Sequence, residues 1–172
     1  WKESAPMNFV ENLRRKAAPL QRTIVLPEAG DQRMLKAAGI IRDEGLASII
    51  LLGNPETIGQ MLADLGIDAT GLTIIDPEGS TYRQEFIRTY HELRQHKGMT
   101  EAEAATLMND PLFFGAMLVR QDMADGMVAG AVNATGNVLR AGFQIVGTAT
   151  AGGIVSSCFV MVKPDWRYGE KG

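Results

Sequence analysis

The chain has a single cysteine, Cys158, so no disulfide can form within it. A thiol-only chain of this size fits a reducing, cytoplasmic setting, and that is the expected location. Long hydrophobic runs are also missing. The longest, from Gly152 to Val162, is broken by Ser156, Ser157 and Cys158 and falls short of a bilayer span. A block of basic residues is lacking too. The formal net charge is −3 and the arginines and lysines are scattered, so the footprint of a nucleic-acid binder is missing. No membrane and no nucleic-acid partner are therefore expected. The opening "WKESAPMNFV" lacks the basic start and apolar run of a secretory leader. Met7 reads as a natural start, with residues 1–6 as an added remnant.

What is present is a globular composition, 45% hydrophobic and 22% charged over 172 residues. Apolar runs alternate with helical periodicity. "RTIVLPE", "ASIILLG", "LTIID", "DGMVAGAV" and "GIVSSCFVMVK" read as five strands. Between them lie helices with local start and stop signals. Asp31 caps "QRMLKAAGIIRDEG", closed by Gly45, and Asn54 with Pro55 opens a helix ended by Gly66. Thr100 and Glu103 have capping-box spacing. Two or three helices are expected across residues 80–123, including an apolar one over "NDPLFFGAMLVRQDM" that core packing explains. Continuously apolar strands alternating with helices predict an α/β fold, a mostly parallel sheet with helices on both faces. The Gly- and Thr-rich "VGTATAGG" marks a boundary. Residues 7–147 are expected to form an N-terminal α/β domain, and 148–172 a hinge and the first strand of an incomplete second domain.

Four clusters bear on chemistry. In "ADGMVAGAVNATGNVLRAGFQIV" a small-residue strand end leads into a helix with Thr135 as expected N-cap and Arg140 in its second turn. A helix start beyond a strand's carboxyl end favours an anion, and a guanidinium fits phosphate bidentately. The residues alone are equally met by an ordinary helix with an arginine reaching solvent, and on composition that reading has the advantage. In "YHELRQHKG" the cations His96 and Lys97 suit a last helical turn closed by Gly98, and Arg94 is free to meet an anion. His91 and His96 are five apart, about 140° around a helix, so they cannot share a metal. No metal site is expected. Glu28, Asp31 and Arg33 follow the first strand and read as the start of a capped helix. Cys158, in an apolar strand, reads as a buried inert thiol.

Four stretches together, "IVLPEAGDQRMLKAA", "YHELRQHKGMT", "ADGMVAGAV" leading to "NVLRAGFQIV", and "KPDWRYGEKG", resemble the phosphate acetyltransferases. The resemblance implies a two-domain α/β fold like that of isocitrate and isopropylmalate dehydrogenases, here truncated. It implies a cleft site, a homodimer, and acetyl exchange between acetyl phosphate and coenzyme A. No prosthetic group is implied, coenzyme A being a substrate. By position, Arg94 and Arg140 match two functional arginines as catalytic and substrate-binding groups, and Thr135 and Asn133 fall beside the phosphate. The catalytic base and a serine–arginine pair belong to a part of the family sequence with no counterpart here, so this portion is expected to be nearly inactive alone. Trp166 stands where some members carry cysteine. Asn133, Ala134 and Ala141 stand where some carry histidine, serine and proline, which leaves acyl-chain choice open. A phosphate butyryltransferase and a non-catalytic regulatory module of the same fold are the alternatives.

Overall fold

The computed structural model describes residues 9–149 together with Gly153, Val155, Ser156, Phe159, Val160 and Met161. Among these residues there are four strands: β1 (Thr23–Leu26), β2 (Ser48–Leu52), β3 (Leu72–Ile75) and β4 (Gly126–Met127). They form one parallel sheet in the order β3-β2-β1-β4. Seven α-helices surround it: α1 (Phe9–Ala17), α2 (Gln32–Asp43), α3 (Pro55–Asp64), α4 (Arg83–Arg94), α5 (Glu101–Leu107), α6 (Pro111–Arg120) and α7 (Thr135–Ala141).

Successive strand side chains point to opposite faces, and that alternation sorts the core into two layers. Ile24, Leu26, Ile49 and Leu51 face α2 and α3, where Leu35, Ala38, Ile58 and Leu62 meet them. Val25, Ile50 and Leu52 face the other way, against Phe86, Tyr90, Phe113, Phe114 and Met117 of α4 and α6. A sheet covered on both faces needs strands that are apolar throughout, as the sequence pattern predicted. Helix α6 is apolar nearly all round because it is enclosed. Leu112 through Leu118 are all buried, each large side chain stabilising the fold by about 1.5–3 kcal/mol. Gly115 lets it close on the sheet: a Cβ there would lie 2.9 Å from Met127 Sδ and 3.1 Å from Val25 Cγ1.

The local signals produce the helices expected of them. Asp31 accepts from the Arg33 amide at 2.8 Å, and Asn54 from the Thr57 amide at 3.0 Å. Thr100 and Glu103 form the reciprocal box, at 3.2 and 2.8 Å. Gly45 and Gly66 end α2 and α3 at φ +61° and +69°, a conformation that favours glycine. Three helices occupy the span from Ser80 to Met123.

Three expectations are corrected. The fourth strand is only Gly126–Met127, not the whole of "DGMVAGAV", because the amides beyond Ala129 are taken by a side chain. Thr135 is not the N-cap of α7: Ala134 holds that position, with no side-chain cap bond, and Thr135 is the first helical residue. The helix runs on through Gly142–Val146, but as a single π-helical turn. Within the fifth predicted strand, Gly153, Val155, Ser156, Phe159, Val160 and Met161 carry no strand pairing, while Cys158 and the remainder lie outside the described residues.

Candidate functional site

The chain runs outward from β1 through β2 to β3 on one side, then returns through α4, α5 and α6 to place β4 on the other side of β1. That reversal makes the β1/β4 boundary a topological switch point, where open α/β sheets bind ligands beyond the carboxyl ends of the strands. Two loops meet there, residues 27–31 after β1 and residues 128–134 after β4.

Glu28 joins them. Its Oε2 accepts from the amides of Gly130 at 3.0 Å and Ala131 at 2.8 Å. Its Oε1 accepts from the amides of Val132 at 3.0 Å and Asn133 at 2.7 Å, and from Asn133 Nδ2 at 2.9 Å. Glu28 is 7% exposed and is the only buried charged side chain among the described residues. Burial opposes its charge and is the largest single influence. The bonds from Asn133, Val132 and Ala131 together outweigh it, and the carboxyl is lowered from its ordinary 4.5 to about 2. Arg33 grips the same loop from the other side. Its Nη2 donates to the Ala131 carbonyl at 2.9 Å while the guanidinium pairs with Asp31 at 2.6 Å.

The two arginines singled out by sequence come from α4 and α7. Both guanidinium charges act on Tyr90, favouring its ionised form, against the stronger effect of burial that pushes the phenol up. Arg94 lies one helical turn beyond Tyr90 on α4, and the Tyr90 ring lies 6.0 Å from the Phe113 ring, which Arg140 covers. Arg140 lies over the Phe113 ring, 5.4 Å from its centroid. Arg94 Nε is buried with no hydrogen-bond partner among the described residues. A hollow of about 410 Å³ lies against Arg94, Lys97, Met99, Glu103 and Thr106. The Tyr90 hydroxyl donates to Gln144 Oε1 at 2.6 Å, fastening α4 to the π turn. Arg120 donates to the Ile145 carbonyl at 2.6 Å, satisfying an oxygen near that turn's end.

Asn133 and Thr135 sit on the approach to α7. Asn133 is half-buried and committed to Glu28 through its Nδ2, and Thr135 is exposed. Tyr90 and Gln144 escaped the sequence reading, and Glu28 was read there as part of a capped helix start. Glu28 carried one signal, an acidic residue at a strand end ahead of a capping aspartate that needs no help.

The family described as phosphate acetyl/butaryl transferase matches residues 8–169. The phosphate acetyltransferase of Acetivibrio thermocellus is 44% identical over 166 residues, covering 96% of this chain and 49% of that protein. That of Escherichia coli is 38% identical, covering 95% of this chain and 23% of the other. Among solved structures, a phosphotransacetylase from Streptococcus pyogenes superposes with a TM-score of 0.76 at 34% identity, over 81% of this chain and 43% of that one. The chain belongs to the phosphate acetyl/butaryl transferase family. It spans about half the length of curated relatives such as the Acetivibrio protein, and less than a quarter of the Escherichia coli one.

Proposed function

We propose that this chain forms the phosphate-side portion of an enzyme that exchanges an acetyl group between acetyl phosphate and coenzyme A. The observation that carries it is that Arg140 covers Phe113, which packs on Tyr90 one helical turn from Arg94, in a chain of this family. In the reaction the coenzyme A thiol loses its proton to a base, and the thiolate attacks the acetyl carbonyl. The carbon–oxygen bond to phosphate then breaks, giving the thioester and inorganic phosphate, which ends with the proton. Arg94 and Arg140 hold the phosphate oxygens and the negative charge that develops on them, a contribution worth several kcal/mol when the donors are fixed in advance. Thr135 and Asn133 complete the phosphate side, Asn133 through the second N–H of its Nδ2, the first being given to Glu28. The base and the remaining coenzyme A contacts come from outside the described residues.

The wider reading is a two-domain protein like isocitrate dehydrogenase, with residues 148–172 entering the second domain. It works as a cytoplasmic homodimer without a prosthetic group. No described helix is long and apolar enough to cross a membrane. The matched relatives named above are acetyltransferases, which favours acetyl over butyryl phosphate.

The test is thioester formation from acetyl phosphate and coenzyme A. It is run on this chain and on the Acetivibrio relative with residues 8–169 of this chain in place of its own. Turnover is expected in the second, and Arg140→Ala should lower its kcat/KM for acetyl phosphate by about 100-fold or more without lowering its Tm. Unchanged kinetics in that variant would remove Arg140 from the site. A preference for butyryl phosphate would reassign the acyl group.

A further inference from the structure

The motif "PEAGDQR" is not used by the reaction as described, yet it makes the densest set of polar contacts in the described residues. Five donors converge on the two oxygens of Glu28, and Arg33 holds the Ala131 carbonyl. What this arrangement fixes follows from how α7 is held. At its far end α7 is anchored by packing: Ala141 and Ile145 are fully buried, and Arg120 bonds the Ile145 carbonyl. At its near end it has nothing comparable. Ala134 caps it without a side-chain bond, and Thr135, Gly136 and Asn137 are exposed. The strand that precedes it is two residues long and ends at Met127. Past the Val128 amide, which bonds the Val25 carbonyl, the polar contacts that hold the chain up to α7 are those of Glu28 and Arg33. The direction in which α7 leaves the sheet, and with it the place of Arg140, is set there.

We propose that Glu28 is a positioning residue of this site: its carboxylate, enclosed by the amides of residues 130–133, orients Asn133 and α7 so that Arg140 faces the anion that Arg94 also meets. The role in catalysis rests on the proposed function above. The effect on Arg140 does not, and the two are separated by experiment. Glu28 touches no reacting atom. It acts through the loop, and an error of an ångström in a charged group costs up to about 100-fold in rate.

The test uses the 172-residue chain labelled with ¹⁵N, its variants Glu28→Gln and Glu28→Ala, and Asn54→Ala. The last removes the cap of α3 on the opposite face of the sheet and weakens the fold without touching the loop. The first readout is the Nε–H resonance of Arg140 and the amides of Gly130 to Asn133. The second is the affinity for inorganic phosphate and acetyl phosphate, titrated on the Arg94 and Arg140 resonances. In both Glu28 variants the loop amides and the Arg140 resonance should move, and affinity should fall about tenfold or more. Formate, a carboxylate small enough for the vacated cradle, should restore both in Glu28→Ala. In Asn54→Ala neither readout should move. A folded Glu28→Ala whose loop amides shift while the Arg140 resonance and the phosphate affinity stay put overturns the proposal. So does loss of the whole fold in both variants, because Glu28 would then act on the domain and not on the loop. If the unaltered chain binds neither anion, the functional reading fails, and positioning is decided by the Arg140 resonance alone.

Discussion

Replacing Glu28 with glutamine removes a charge and almost no volume, and the consequence depends on pH in a way the structure dictates. The carboxyl falls from 4.5 to about 2 on folding, because the amide bonds to Asn133, Val132 and Ala131 outweigh burial. At about 1.4 kcal/mol for each tenfold change in proton affinity, the charged form stabilises the fold by about 3 kcal/mol. A carboxyl depressed in the folded state contributes fully above its unfolded value of 4.5 and loses that contribution as pH falls toward about 2. A protonated Glu28 and a glutamine in its place are alike: each offers the loop one carbonyl oxygen and one donor that faces other donors. Glu28→Gln should therefore be about 3 kcal/mol less stable than the parent at pH 7. The deficit should shrink below pH 4.5, with about 2 kcal/mol of it gone at pH 3. Urea unfolding of both proteins at pH 7, 5, 4 and 3 reads this directly. Asp31, Asp68, Glu103 and Asp125 are also lowered and weaken both proteins equally in acid, so the difference isolates Glu28. A deficit that stays constant across this range, or that is missing at pH 7, refutes the assignment of the charge to the amide cradle.

Gly115→Ala should cost about 1–3 kcal/mol in urea unfolding, because the added methyl would sit 2.9 Å from Met127 Sδ and 3.2 Å from Leu52 Cδ1 between α6 and the sheet. Thr100→Ala should cost about 1 kcal/mol by opening the capping box of α5, and amide exchange in that helix's first turn should quicken. Tyr90→Phe should cost about 1–2 kcal/mol, since Gln144 Oε1 loses its 2.6 Å donor in a part-buried place. Amide exchange across Gly142–Val146 should rise with it.

The elements written by neighbouring residues were legible before the fold was. Asp31, Asn54 and Thr100 cap because each lies two or three residues before an amide it can reach, and no distant partner is involved. The covered sheet was legible for a similar reason, since the cores of β1 and β2, Ile24–Leu26 and Ile49–Leu52, are apolar without interruption. The candidate site was legible in part. Arg94 and Arg140 were named from motif resemblance, and the structure adds what joins them, the Tyr90–Gln144 pair, which spans 54 residues. The start of α7 was misplaced by one residue because a threonine beside a helix start looks like a cap whichever side it falls. Glu28 was read as part of an ordinary helix entry because its partners lie 102 to 105 positions along the chain.

The short fourth strand and the misread glutamate have one cause. "MVAGAV" satisfies every local requirement of a parallel strand, and its amides need acceptors whether or not they form one. The last ladder bond on this side runs from the Val128 amide to the Val25 carbonyl. One residue past Leu26, Pro27 brings β1 to its end, and the next residue is Glu28. Beyond that point β1 turns toward α2, the Glu28 carbonyl is taken by the Asp31 amide at 3.0 Å, and the Glu28 carboxylate is the acceptor that meets the loop after β4. The chain from Gly130 to Asn133 turns to it because four amides and one side-chain amide on two charged oxygens are better satisfied there than by water at a sheet edge. Ending the strand early also starts α7 early, against α6. A chain that kept pairing through Val132 would carry Arg140 several residues further from the sheet before its helix began. The charge on residue 28 therefore decides where β4 stops, and where β4 stops decides where Arg140 stands relative to Arg94.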